Sequence, residues 1–165
     1  EGGAAVCPQI KAMTSVGIPV MAHLGMTPQS VNAFGGNKVQ GKTADAAKRM
    51  LDDAYKIQDA GAFAVVLECV PSPLAALITE KLTIPTIGIG AGNETDGQIL
   101  VYQDMLGMFS DYVPKFVKKF ANLGQEMMDA FTQYDKEVKE TSFPDADHEF
   151  HKMTNPEVLD ELKNL

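Results

Sequence analysis

Glu68 closes the run Ala62-Phe-Ala-Val-Val-Leu-Glu68, and His23 stands near the end of Val20-Met-Ala-His-Leu-Gly25. An acid and an imidazole therefore sit at the downstream ends of two apolar segments with strand character. An ionised carboxylate taken out of water costs several kcal/mol unless a cation or several donors meet it, so packing alone is a poor reason to put one there. In parallel α/β folds the carboxyl ends of strands carry the chemistry. An imidazole titrates near neutrality and suits donation of a hydrogen bond or orientation of a carbonyl. Glu68 is thus a candidate reaction centre, and His23 a candidate hydrogen-bond donor or carbonyl-orienting group facing the same mouth. The alternatives are an ion-paired structural glutamate and a satisfied core histidine.

Two glycine-rich stretches flank these residues. Ile87-Gly-Ile-Gly-Ala-Gly92 suggests backbone amides bared for an anion or for close approach of a substrate, but it has neither the dinucleotide spacing nor the Lys-Ser or Lys-Thr of a P-loop. Asn93, Thr95, Asp96 and Gly97 read as a turn. Thr27-Pro-Gln-Ser30 and Phe34-Gly-Gly-Asn-Lys-Val-Gln-Gly41 form a long connection, in which Gly35, Gly36 and Lys38 suggest a lid over the site; a surface loop without function is the alternative.

The elements that must position these groups follow from periodicity. Strands are predicted over Ile18 to Leu24, Ala62 to Val70, Ile84 to Gly90 and Gln98 to Asp104, the one ending at Glu68 being apolar enough for burial on both faces. Ala47, Met50, Leu51 and Ala54 mark an amphipathic helix capped by Thr43 and closed at Gly61. A second helix starts at Ser72-Pro73, carries Leu74, Leu77 and Ile78 on one face and ends near Leu82. A third is predicted from near Pro114, with Phe116, Val117, Phe120, Met127, Phe131 and Tyr134 as a core-packing stripe. Such alternation predicts parallel strands with right-handed crossovers, in a barrel or a doubly wound sheet. Four strands are few for either.

The 165 residues carry a net charge of -8, with no clustered Lys and Arg, which argues against a nucleic-acid partner. Residues 135–165 contribute -5 of that charge and read as a solvated tail or a subunit-contact arm. Within it, the segment from Asp145 to His151 places two histidines among acids, at a spacing that matches no standard metal site. No apolar run approaches membrane-spanning length. The first residues lack a basic n-region and an initiating Met, so the start reads as a cut rather than a targeting signal. Two cysteines, Cys7 and Cys69, give no disulfide framework and suit a reducing, cytoplasmic compartment, with Cys69 expected as a small buried thiol.

The strings His23-Leu-Gly-Met-Thr-Pro-Gln-Ser30, Phe34 to Gly41, Leu67-Glu-Cys-Val-Pro71 and the run from Ile87 to Val101 resemble, in order and spacing, the ketopantoate (3-methyl-2-oxobutanoate) hydroxymethyltransferase family, from Glu1 to about Phe150. The resemblance implies a (β/α)8 TIM barrel of the phosphoenolpyruvate/pyruvate type, of which residues 1–142 supply the second half, strands five to eight, followed by an acidic tail over 143–165. It implies transfer of a hydroxymethyl group from 5,10-methylenetetrahydrofolate to 3-methyl-2-oxobutanoate, giving 2-dehydropantoate, in a cytoplasmic homo-oligomer, a decamer by resemblance. It also implies Mg²⁺, whose one ligand in this chain is Glu1; the two aspartates and a substrate lysine of the family fall upstream of residue 1. The family's catalytic base corresponds to Glu68 and an active-site histidine to His23. Other possibilities are an inactive fragment or interaction module lacking the metal-binding half, and a related barrel enzyme that cleaves carbon-carbon bonds.

Overall fold

The computed structural model describes residues 1–33, 35–108 and 112–163, and the chain divides into two compact units, Glu1–Ala121 and Asn122–Leu165. Phe34, in the expected lid, and the last two tail residues lie outside the described residues.

In the first unit, helix α1 (Cys7–Ser15) precedes strand β1 (Met21–Gly25), helix α2 (Ala44–Asp59), strand β2 (Ala64–Glu68), helix α3 (Ser72–Lys81), strand β3 (Thr86–Ile89), strand β4 (Gly97–Gln98) and the short helix α4 (Tyr102–Met105). The four strands form one parallel sheet in sequence order. Alternation gives the two sheet faces different fates. Ala22, Leu24, Val65 and Leu67 point to one side and are buried in a single cluster with Met50, Ala54 and Ile57 of α2 and Leu74, Ala75 and Ile78 of α3. On the other side Met21 is exposed, and His23, Val66 and Ile87 are half-buried. On that second face of β2 Ala64 is buried while Val66 and Glu68 are half-buried, so the strand is fully covered on one face and partly covered on the other.

Local signals account for the crossovers. The Thr43 side chain accepts a hydrogen bond from the Ala46 N–H at 3.2 Å, capping α2, and Gly61 leaves the helix at φ +99°. α3 starts on Pro71-Ser72-Pro73 and buries Leu74 and Ile78, while Leu77 is exposed. At the amino end of the sheet, fully buried Thr86 donates from its N–H (2.8 Å) and hydroxyl (3.1 Å) to Asp96, and its hydroxyl lies 2.7 Å from that of Thr79. This clamp lets β3 and β4 lie parallel across a connection of residues 90–96 alone. Helix α1 has no counterpart among the sequence expectations; Ile10 is its single buried residue, and the Asp53 carboxylate receives the Ala4 N–H at 2.8 Å just ahead of it.

Two expectations need correction. The fourth strand covers only Gly97–Gln98, because the chain turns into α4 from Tyr102, so Gln98 to Asp104 is not a strand. The third helix, α5, runs over Leu123–Lys139 and not from Pro114. Phe116 is drawn instead against Gly90, and the Phe120 N–H donates to the Met105 carbonyl at 2.7 Å, so tertiary contacts override the helical spacing before Asn122. α5, in the second unit, buries none of its residues, and Phe131 is 63 % exposed. Its stripe is not core. The rest of that unit holds the turn around Phe143 and the short helix α6 (Val158–Leu162).

Candidate active site

Strand register sets the geometry. His23 pairs with Val66 and Gly25 with Glu68, so His23 and Glu68 lie on the same face, one diagonal apart. Their side chains close that diagonal: His23 Nε2 lies 3.1 Å from Glu68 Oε2 and 3.1 Å from the Met26 carbonyl. Both neighbours are acceptors while Glu68 is ionised, so the imidazole proton belongs on Nε2 and is shared between them.

Both side chains are sheltered, with 19 % of His23 and 14 % of Glu68 exposed. Burial pushes the Glu68 carboxyl above its usual range; the charge and hydrogen bond of His23 oppose this, and the nearby charge of Glu1 adds to it. A carboxylate whose ionised form is disfavoured, yet which keeps a donor at its side, is a better proton acceptor than one on the surface. Glu1 is exposed, and its main chain reaches β1 through the Gly2 N–H, which donates to the His23 carbonyl at 3.1 Å.

Glu68, His23 and Glu1 thus gather at the carboxyl edge of the sheet. Gly35, Gly36 and Lys38 lie in the connection from β1 to α2, where the glycines take φ of +67° and +112° and Lys38 is exposed. A cavity of about 340 Å³ lies on the other side of β1, lined by Leu24, Thr27, Arg49 and Asp53, and touches neither His23 nor Glu68. The space left by the glycines after β3 is already taken: a Cβ on Gly90 would meet the Phe116 ring at 2.8 Å and one on Gly92 would meet Ser72 at 2.4 Å. Close packing on the side-chain side requires glycine at both positions, and the two also line a cavity of about 530 Å³ with Asn93, Gln98 and Phe116.

Sequence reasoning did not single out the main chain beside Glu68. Cys69 takes φ +51°, a left-handed conformation that residues other than glycine seldom adopt, and it is half-buried rather than buried. Among the described residues no group of three or more His, Cys, Asp and Glu side chains is placed to hold a metal ion. Mg²⁺ prefers six oxygen ligands, and this chain offers Glu1 as its one implied ligand, so the residues present do not make up a Mg²⁺ site.

The fold and the edge pair define a parallel α/β protein with a sheltered acid, raised by burial, at the carboxyl ends of its strands. The sequence model described as ketopantoate hydroxymethyltransferase matches residues 1–146, and the chain belongs to that family. Similar proteins named 3-methyl-2-oxobutanoate hydroxymethyltransferase include one from Clostridium botulinum (strain Alaska E43 / Type E3), 65 % identical over 91 % of this chain and 54 % of the relative. One from Enterococcus faecalis is 60 % identical over 98 % of this chain and 58 % of the relative, and one from Clostridium beijerinckii 61 % over 100 % and 58 %. The chain spans little more than half the length of these curated relatives.

Proposed function

We propose that this chain carries the proton-abstracting side of an active site that transfers a hydroxymethyl group from 5,10-methylenetetrahydrofolate to 3-methyl-2-oxobutanoate, an early step toward pantothenate. The observation that carries the proposal is the sheltered Glu68 carboxyl, raised by burial and held at 3.1 Å from a donor. Glu68 takes the proton from C3 of the 2-oxo acid. The electrons of the broken C–H bond pass into the C2–C3 bond, and the carbonyl oxygen takes the negative charge. The Nε2–H of His23 keeps Glu68 oriented and is a donor beside the developing enolate. Water cleaves the two carbon–nitrogen bonds of the one-carbon unit, which frees tetrahydrofolate and leaves that carbon at the formaldehyde level; C3 of the enolate bonds to it as its C=O π pair moves to oxygen, and the alkoxide takes the proton from Glu68 to give 2-dehydropantoate.

The parallel sheet, with one face under helices and the other carrying His23 and Glu68, supports a further reading of this chain as strands five to eight of a (β/α)8 barrel. The face carrying His23 and Glu68 is then the barrel interior. The site is shared with residues beyond this chain, which supply the remaining groups that hold the implied Mg²⁺ and stabilise the enolate, and the assembly is a cytoplasmic homo-oligomer. In that arrangement residues 1–142 are the barrel half and 143–165 an acidic tail.

The test is deuterium exchange at C3 of 3-methyl-2-oxobutanoate, measured without folate on the intact protein that includes the residues completing the site. Glu68→Gln should lower it by about 10²–10⁴-fold, the usual contribution of a positioned base, and leave binding of the 2-oxo acid in place. Exchange unchanged in Glu68→Gln would remove Glu68 from this role.

A further inference from the structure

The loop between β1 and α2 is fastened at both ends to one dipeptide. Its first stem is held by the Met26 N–H, which donates to the Glu68 carbonyl at 2.9 Å. Its second is held by the Gln40 N–H, which donates to the Cys69 carbonyl at 2.9 Å. In an extended strand the N–H and C=O of one residue point to the same side. Cys69 departs from this: its N–H still donates to the Ile89 carbonyl of β3 at 2.9 Å, as a strand residue's would, while its own carbonyl has turned to Gln40. The left-handed φ of +51° is what separates the two directions.

We infer that Cys69 is a positioning residue: its left-handed backbone joins both stems of the 27–40 loop to the main chain of Glu68, so that the seating of the loop and the aim of the base are one mechanical unit. This rests on the reading of Glu68 as the base.

The surroundings leave the joint little slack. Gly25, at φ +95°, passes so close that a Cβ there would lie 2.1 Å from the Glu68 carbonyl oxygen. Gly41, at φ +79°, presses the returning chain against α3, where a Cβ would lie 2.6 Å from Leu74. Met26 is tied twice, since its carbonyl also lies 3.1 Å from His23 Nε2. A shift of the first stem therefore moves the acceptor that His23 shares with Glu68. The thiol has no part in the joint. Burial, then the Glu68 charge, pushes the Cys69 thiol up, so it stays protonated.

The test varies backbone preference at position 69 and reads amide hydrogen exchange in the purified protein. Cys69→Val, whose β-branched side chain resists the left-handed region, should release the Met26 and Gln40 amides together, by about tenfold, and speed tryptic cleavage after Lys38, with the Ala54 and Ile57 amides of α2 unchanged. Cys69→Gly, which adopts that region freely, should keep both stems protected. If Cys69→Val unfolds globally, Cys69→Ala offers a smaller bias and the same comparison. Release of Gln40 alone, or loss of protection in Cys69→Gly equal to that in Cys69→Val, would overturn the inference. These amide readouts do not depend on turnover, so they stand apart from the Glu68→Gln experiment. The link to the base is read separately, as a shifted pH midpoint of C3 exchange in Cys69→Val or Cys69→Ala. If Glu68→Gln abolishes exchange but the position-69 variants leave that midpoint in place, the base survives and its coupling to the loop does not.

Discussion

Two of the carboxylate-imidazole pairs among the described residues behave in opposite ways. Glu68 and His23 meet at 3.1 Å with 14 % and 19 % of their side chains exposed; Asp145 and His148 meet at 2.6 Å with 59 % and 62 % exposed. At Asp145 the hydrogen bond from His148 prevails and holds the carboxyl below its usual range. At Glu68 burial outweighs a similar partner, and the carboxyl rises. The same two functional groups thus give a surface ion pair in one setting and a sheltered, raised carboxyl in the other. Water is the difference, because only the sheet edge withholds it.

The largest expected contrast is catalytic. Glu68→Gln should cost about 10²–10⁴-fold in C3 exchange, whereas Asp145→Asn should leave exchange at the wild-type rate. A loss in both would show that the tail pair also serves the reaction.

Next in size is the backbone that makes the sheltered pair possible. Gly25→Ala combines a left-handed φ with a Cβ 2.1 Å from the Glu68 carbonyl and should destabilise the protein by about 2 kcal/mol or more in urea unfolding. Gly17, also at positive φ, has open space around it, so Gly17→Ala meets backbone strain without the clash and should cost less. Equal costs would mean that the close approach at Gly25 is not tight.

The pH dependence should separate the pairs by sign. A carboxyl raised in the folded state contributes its stability below its unfolded pKa and loses it as pH rises through the folded value. Glu68→Gln should therefore gain stability relative to wild type as pH rises above the ordinary glutamate range of about 4, with the difference shrinking below it. A carboxyl lowered in the folded state contributes above its unfolded pKa and loses that contribution as pH falls through the folded value. Any effect of Asp145→Asn should then be a loss, present above the ordinary aspartate range of about 4 and fading as pH falls below it. Melting curves from pH 3 to pH 8 would check both; a Glu68→Gln gain that grows toward acid would contradict the burial argument. The smallest effect is expected from His148→Ala, whose exposed pair should leave the melting temperature unchanged within error.

Much of the sheltered region was legible in the chain itself. Apolar β-branched runs located the first three strands, and Thr43, Pro73 and Gly61 marked the helices between them, because these signals act through local backbone chemistry. The family was legible too, in long strings around His23, Glu68 and Gly90. The failures came where contacts distant in sequence outweigh local preference. The spacing from Phe116 to Tyr134 suits one helix, but Phe116 is captured by Gly90 and Phe120 by Met105, which splits it. The run into Asp104 suits a strand, but β3 supports pairing only at Gly97 and Gln98.

Residue order alone put an acid and an imidazole at strand ends, because a charged group closing a hydrophobic run is visible without any structure. Only the tertiary structure decided that register brings them to 3.1 Å, that burial outweighs the imidazole at Glu68, and that Cys69 turns left-handed to hold a loop by both stems. Each of those depends on strands paired across more than forty residues, and no local signal encodes the distance between them.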